Sequence, residues 1–155
     1  TSSRAADVVR WHALFMFGPS FFTGIIISRF GNLRIMALGL LMLGVSCFVA
    51  ISGVELRQFY TALILLGFGW NFSFIGATTL LANTYRENER AKVQGLNDFL
   101  VLGAVSMASF LSGALLNYFG WPMVQIAAMP PLLVAVISLS YLAIYRRGKI
   151  EIISS

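Results

Sequence analysis

Charged residues are scarce in this chain. Asp, Glu, Lys and Arg make up 11% of its 155 residues, whereas a soluble domain carries about 25%. So little charge cannot cover a water-exposed surface, and the composition excludes an ordinary soluble domain. Hydrophobic residues make up 58% of the chain and the mean hydropathy is +0.82. We therefore predict that lipid is the solvent for most of it.

Cysteine and histidine occur once each. The single Cys47 lies inside an apolar run, which excludes an internal disulfide and a paired-thiol metal site. The sequence contains no metal-ligand cluster, phosphate-binding glycine loop or cofactor motif. We therefore expect no bound metal, no cofactor and no catalytic residues, and the chain is not predicted to be an enzyme.

Five apolar runs are long enough, or nearly so, to cross a bilayer, which takes about 20 helical residues. They cover residues 11–27, 33–51, 59–82, 99–119 and 124–145. The runs are continuous and do not alternate with a period of two, which argues against strands. We predict an all-α transmembrane helical bundle in which residues 1–155 form a single partial transmembrane domain.

The basic residues lie in the short loops, and their distribution predicts the orientation of the chain. Five spans place eight of the Lys and Arg residues on one side: Arg29, Arg34, Arg86, Arg90, Lys92, Arg146, Arg147 and Lys149. The other side receives Arg4, Arg10 and Arg57. Because cytoplasmic loops carry the excess of Lys and Arg, we expect the tail 146–155 to be cytoplasmic. The net charge of +5 is thereby explained without a nucleic-acid partner.

Small residues and prolines predict the packing and shape of the spans. Gly69, Ser73 and Gly76 share one face of the third span, and Ala104, Ala108 and Ser112 recur every four residues in the fourth. Such spacing lets helix backbones approach closely in lipid. Pro19 and the pair Pro130-Pro131 each remove helical hydrogen bonds, so kinks are expected at both places.

The most specific segment is the basic turn at residues 24–34, GIIISRFGNLR. It resembles the signature loop of the major facilitator superfamily, G-x-x-x-D-R-x-G-R-R/K. Ser28 stands in the position of the Asp, and Asn32 stands in the position of the first basic residue after the glycine. These departures resemble the weaker copy of the loop found in the second half of that family.

The resemblance extends over essentially the whole chain. Residues 85–95 resemble the cytoplasmic link before the eleventh span of bacterial members, and Gly120-Trp121 resembles the outer turn before the twelfth. The resemblance therefore implies spans eight to twelve of twelve, the C-terminal bundle without its first span. The chain is expected to be a fragment that partners the lipid bilayer and the missing N-terminal half of the same chain. A bacterial inner (plasma) membrane is the expected location.

The basic turn has two interpretations. Gly24 and Gly31 permit close backbone approach and a sharp turn, and Arg29 and Arg34 can reach helix carbonyls or anionic headgroups. The simpler interpretation is a positive-inside anchor. The resemblance implies a cytoplasmic latch that holds the outward-open state.

Asp98 is the one acid within reach of a span interior, and such a residue is by default a functional candidate. It is open to three roles: a latch residue, a helix-start carboxylate or a proton site. The resemblance implies that it pairs with a basic loop in the first half of the protein. Arg90, in the preceding basic link, is assigned to the same candidate latch.

The third span contains the candidates for contact with a solute. Helical periodicity places Gly67, Asn71 and Thr78 on one face, opposite the small-residue face, so we predict one packed and one wet face. Secondary transporters bind solute near the membrane midplane, and Trp70, Asn71 and Thr78 are therefore candidates. The alternative is a buried Asn71 that bonds to a neighbouring helix.

His12 lies beside Arg10 and Trp11 at the outer end of the first span. One interpretation is an aromatic and basic belt at the membrane interface. The other is a titratable outer gate or solute contact through the imidazole.

The resemblance implies a secondary active transporter that moves a small-molecule substrate by alternating access, with proton coupling left open. The alternative function is a non-transporting membrane subunit or anchor that packs with a partner helical bundle.

Overall fold

The computed structural model describes residues 2–53 and 55–154, with side chains described for residues 7, 10–53 and 55–146. These residues form six α-helices and one short 3-10 turn at Glu87–Glu89, with no strand among them. The helices are α1 Ser2–Phe17, α2 Ser20–Phe30, α3 Asn32–Ser52, α4 Leu56–Ala82, α5 Arg90–Phe119 and α6 Trp121–Ser154. The prediction of an all-α bundle is confirmed.

Five stretches of the described chain are long and apolar enough to cross a bilayer. They are Arg10–Phe30, Asn32–Ser52, Leu56–Ala82, Glu87–Phe119 and Trp121–Arg146. Each contains one of the apolar runs predicted from the sequence. The segment predicted as a tail differs in one respect, because α6 continues as a helix to Ser154.

Two glycines with positive φ separate adjacent helices by a single residue. Gly31 (φ 88°) lies between α2 and α3, and Gly120 (φ 80°) lies between α5 and α6. The Gly31 N–H donates to the Ile27 carbonyl at 2.8 Å, and the Gly120 N–H donates to the Leu116 carbonyl at 3.2 Å. A side chain at this φ would be strained, so glycine is the residue that ends these helices at so sharp a turn.

The first span is broken rather than merely kinked. Gly18 and Pro19 separate α1 from α2, and Pro19 has no N–H to donate to the carbonyl four residues earlier, that of Phe15. After the break, the N–H groups of Phe22 and Thr23 both donate to the Pro19 carbonyl. In contrast, α6 remains one helix through Pro130 and Pro131.

The central contact of the bundle is between α3 and α4. A Cβ built on Gly39 of α3 would lie 2.5 Å from the Ser73 hydroxyl oxygen and 2.9 Å from the Gly69 carbonyl oxygen of α4. Only glycine permits this approach, and the predicted packing face of Gly69, Ser73 and Gly76 is confirmed. Helices α1 and α2 pack on α4, and α6 packs on α3.

Helix α5 lies at the edge of the bundle and packs mainly against α6. None of its side chains is buried. Ala104 and Ala108 are exposed, so the predicted close contact through the fourth span's small residues is not made within the described chain. Large apolar side chains are also exposed elsewhere, with Phe21 at 85% and Phe110 at 83%, as expected for a bundle surrounded by lipid rather than water.

Candidate functional site

Asn71, near the middle of α4, is 3% exposed and forms three hydrogen bonds to the first span. Its Nδ2 donates to the Met16 carbonyl and to the Ser20 hydroxyl, each at 2.7 Å. Its Oδ1 accepts from the Thr23 hydroxyl at 2.6 Å. Both amide N–H groups and the amide oxygen therefore have partners, as a buried polar group in lipid requires.

These bonds reach both sides of the break in the first span. Met16 precedes Gly18 and Pro19, while Ser20 and Thr23 follow them. Thr23 is fully buried, and its hydroxyl also lies 2.8 Å from the Pro19 carbonyl oxygen. Asn71 thus joins the end of α1 and the start of α2 to one point on α4.

The predicted wet face of the third span needs correction, because its Gly67–Asn71 part is packed. A Cβ on Gly67 would lie 3.1 Å from the His12 carbonyl oxygen and 3.1 Å from the Met16 nitrogen. Glycine at this position lets α1 lie directly on α4, which leaves no room for lipid or water between the two helices at Gly67. The geometry of Asn71 is that of a buried amide bonded to a neighbouring helix, and its role in a solute pathway stays a prediction.

Trp70 and Thr78 do not share the contacts of Asn71. The Trp70 indole stacks in parallel on Phe74, with ring centroids 5.9 Å apart and an angle of 7° between the planes. Thr78 donates from its hydroxyl to the Phe74 carbonyl of its own helix at 2.8 Å. Trp70 is half-buried, and the Phe74 ring is 38% exposed. The two rings form a partly exposed aromatic pair on α4.

His12 lies one turn before Met16 on α1 and is bonded to α4. Its Nδ1 is 2.9 Å from the Leu63 carbonyl oxygen. Because a carbonyl only accepts, Nδ1 must bear the proton, and in the neutral ring Nε2 is then the acceptor nitrogen. The belt interpretation describes the more exposed Trp11, whereas His12 is half-buried against α4.

The basic turn at residues 24–34 is organised by local contacts. The Ser28 hydroxyl donates to the Ile25 carbonyl at 2.8 Å, and the Arg29 guanidinium lies 5.8 Å from the centre of the Phe30 ring. Arg29 and Arg34 are both exposed. Two cations are therefore presented at this end of the bundle, next to the sharp turn at Gly31.

Gly24 does not have the role expected of it. It lies within α2, and a Cβ built there would meet nothing within 4 Å. The prediction of a close backbone approach at Gly24 is wrong for the described chain. Among the glycines of the motif, Gly31 makes the turn.

The two candidates on α5, Asp98 and Arg90, are exposed and form no ion pair among the described residues. The Asp98 Oδ1 accepts a hydrogen bond from Nδ2 of the adjacent Asn97, at 3.3 Å. Arg90 is the first residue of α5 and is exposed. The ion pair found within the described part of the chain joins Arg10 to Asp7 at 3.5 Å, and it includes neither candidate. The latch roles of both stay predictions.

Sequence reasoning did not identify the interhelical hydrogen bonds of Ser20, Thr23 and Trp121. The first two follow a proline inside a span, where hydroxyl side chains commonly satisfy the freed backbone groups, and this signal could have identified them. The Trp121 indole N–H donates to the Ala50 carbonyl at 3.0 Å, and its ring lies 5.2 Å from that of Phe59. No local pattern indicates that contact.

A family model described as Major Facilitator Superfamily matches residues 8–151. The chain belongs to the Major Facilitator Superfamily. The match includes the Asn71 hydrogen bonds and the whole basic turn. The resemblance drawn from the turn is thereby confirmed at the level of the family, and the chain is an integral membrane protein. The assignment to spans eight to twelve stays a prediction.

Three curated relatives are transporters by name. The chain is 47% identical over 126 residues to the riboflavin transporter RfnT of Brucella anthropi, a match covering 81% of this chain and 32% of that protein. Two relatives in Bacillus subtilis are uncharacterized MFS-type transporters. YddS is 31% identical over 127 residues, covering 81% of this chain and 29% of that protein. YdeG is 36% identical over 110 residues, a match covering 68% of this chain and 25% of that protein.

The chain spans about a third or less of the length of these superfamily relatives. No solved structure matches it.

Proposed function

We propose that this chain forms part of a secondary active transporter that moves a small solute across the membrane by alternating access. Membership of the superfamily and the transporter names of the relatives support this function. The observation that carries the proposal is the broken first span, held to α4 by Asn71. Discontinuous helices commonly form the solute and ion sites of secondary transporters near the bilayer midplane.

The break supports movement because it separates two helical pieces that share one anchor. Pro19 removes a backbone hydrogen bond between α1 and α2, and Asn71 replaces part of that connection from another helix. A span joined in this way can change its bend at Gly18 and Pro19 while each half stays helical. We propose that this bend changes as the transporter alternates between its two states.

We further propose that the solute is planar and aromatic, of the riboflavin kind. The name of the relative with 47% identity supports this class. The partly exposed Trp70–Phe74 pair supports it as well, since aromatic side chains bind planar rings by stacking. Thr78 and His12 stay candidates along the pathway, and Asp98 stays a candidate proton site.

The orientation belongs to the same proposal. Among residues with described side chains, Arg29, Arg34, Arg86, Arg90, Lys92 and Arg146 lie at one end of the bundle. We propose that this end, which includes the Gly31 turn, faces the cytoplasm of a bacterial cell. The turn would then act as a latch together with Asp98 and the part of the protein that lies outside this chain.

A chimera tests the proposal. This chain replaces the matching segment of the Brucella anthropi transporter, and uptake of labelled riboflavin is measured in a riboflavin-requiring bacterial strain. We expect uptake well above that of the empty vector. Trp70→Ala should lower it roughly tenfold, the loss of about 1.4 kcal/mol of stacking. Tyr141→Ala, which removes another parallel stacked pair, Tyr141–Tyr145 on α6, should leave uptake unchanged.

The outcomes distinguish the parts of the proposal. A chimera that reaches the membrane but takes up no riboflavin would contradict the solute class. Uptake that survives Trp70→Ala would remove Trp70 from the pathway.

One observation favours the non-transporting anchor instead. Helix α5 has no buried side chain, so it offers a face to a partner bundle. An anchor predicts that no member of a panel of labelled solutes is taken up by the chimera.

A further inference from the structure

A lengthwise groove lies between α3, α4 and α6, away from the Asn71 hydrogen bonds. Its volume is about 300 Å³, at the small end of the range for ligand pockets. Met36 and Leu40 of α3 form one wall, and Ala135, Leu139 and Leu142 of α6 form the other. The walls are apolar apart from two serine side chains, and the groove is open along one side. It therefore suits an apolar chain better than a polar solute.

The groove leads toward the basic end of the bundle. On α6, Ala135, Leu139, Leu142 and Arg146 follow one another at intervals of four, three and four residues, which places them on one helix face. Arg146 is exposed and lies one turn beyond Leu142. On α3, Met36 lies one turn after Asn32, the first residue of that helix at the same end.

We propose that this groove binds an acyl chain of an anionic phospholipid, with the headgroup phosphate held by Arg146. The groove lies within a membrane-spanning bundle, where an empty apolar space would forfeit the dispersion contacts of its walls. An acyl chain from the surrounding bilayer restores them. The headgroup of that lipid would then lie at the basic end of the bundle, where Arg146 is exposed on α6.

Charge complementarity selects the anionic lipid. The described cations at this end of the bundle outnumber the two at the other end, Arg10 and Arg57, and basic residues at a membrane surface attract anionic headgroups. The lipid can enter from the bilayer because the groove is open along one side. This binding does not depend on the proposed transport.

Native mass spectrometry of the purified chain tests the proposal, with dioleoyl phosphatidylglycerol and dioleoyl phosphatidylcholine as probes. Wild-type chain should retain one phosphatidylglycerol several-fold more strongly than phosphatidylcholine. Arg146→Gln should reduce that preference to near one. Lys92→Gln removes a cation from the same end but from α5, and it should keep the preference.

A second pair of variants tests the groove itself. Ala135→Phe places a ring in the groove and should lower retention of both lipids several-fold. Ala114→Phe adds the same ring to an exposed position on α5 and should have no effect. Circular dichroism and a single elution peak establish that each variant is folded.

Three results would overturn the proposal: equal retention of the two lipids by the wild type, an unchanged preference in Arg146→Gln, or unchanged retention in a folded Ala135→Phe. The surface position of Arg146 keeps the charge test valid even if the bulky variant does not fold.

Discussion

The side-chain amide nitrogen of Asn71 lies 2.7 Å from the backbone carbonyl oxygen of Met16, at the end of a helix that Pro19 interrupts three residues later. A side chain from α4 thus supplies a hydrogen bond to the backbone of a broken span. In lipid, where no water is available to replace it, the loss of this bond would leave the carbonyl unsatisfied.

Replacing Asn71 by Leu should destabilise the bundle by about 2 kcal/mol. Three interhelical hydrogen bonds are lost, at roughly 0.6 kcal/mol each in membrane proteins. Unfolding in a titration with dodecyl sulfate, followed by helical circular dichroism, measures the change. Thr78→Val is the matched control, since that hydroxyl bonds only within its own helix. Equal stability of the two variants would contradict the role assigned to Asn71.

Thr23 and Asn71 should be energetically coupled. Thr23→Val removes the 2.6 Å bond to the Asn71 oxygen, and the double variant should cost less than the sum of the single variants by about 0.5 kcal/mol or more. The same unfolding titration on all four proteins of the cycle measures this coupling. Strict additivity would indicate that the two side chains act independently.

Gly39→Ala should destabilise the contact between α3 and α4 by about 1–3 kcal/mol, because the added methyl group overlaps Ser73 and the Gly69 backbone. Gly44→Ala on the same helix meets only Leu132, at an ordinary 3.9 Å. It should be neutral or stabilising, by up to about 1 kcal/mol, through helix propensity. Thermal unfolding in detergent compares the two, and a similar change in both variants would refute the close approach at Gly39.

The basic turn contains a matched pair of glycines. Gly31→Ala should cost about 1–3 kcal/mol, since its backbone (φ 88°, ψ 148°) is accessible almost only to glycine. Gly24→Ala should be tolerated, because it is helical and its Cβ would meet open space. Limited proteolysis of the turn and thermal unfolding report the difference. A tolerated Gly31→Ala would show that the turn adopts another conformation.

Trp121→Phe should cost about 0.5–1.5 kcal/mol, the value of a hydrogen bond such as that from its indole to the Ala50 carbonyl. The contact with Phe59 is kept by the smaller ring, so the change isolates the N–H group. Tyr118→Phe, at a side chain that is 78% exposed near the same end, is the control and should unfold with the wild type. The dodecyl sulfate titration measures both.

Within the described part of the chain, the small residues of α5 and Gly24 do not make the predicted close contacts, for one shared reason. Both predictions inferred contact from small residues alone, and a small residue permits a close approach without requiring one. In α4 the same inference succeeded, because Gly39 of α3 faces Gly69 and Ser73. Spacing within one helix cannot reveal whether a second helix lies opposite.

The sequence by itself determined that the chain lies in lipid, the number of its spans and the two sharp turns at Gly31 and Gly120. Low charge and long apolar runs require lipid, and within the bilayer a helix satisfies its own backbone. Glycine at positions 31 and 120 allows the sharp turns. Only the tertiary structure decided that Asn71 bonds across the break to Met16 and Ser20 rather than facing a wet pathway. That choice depends on which helix lies against Gly67, and contacts between helices distant in sequence are not encoded in the periodicity of either helix.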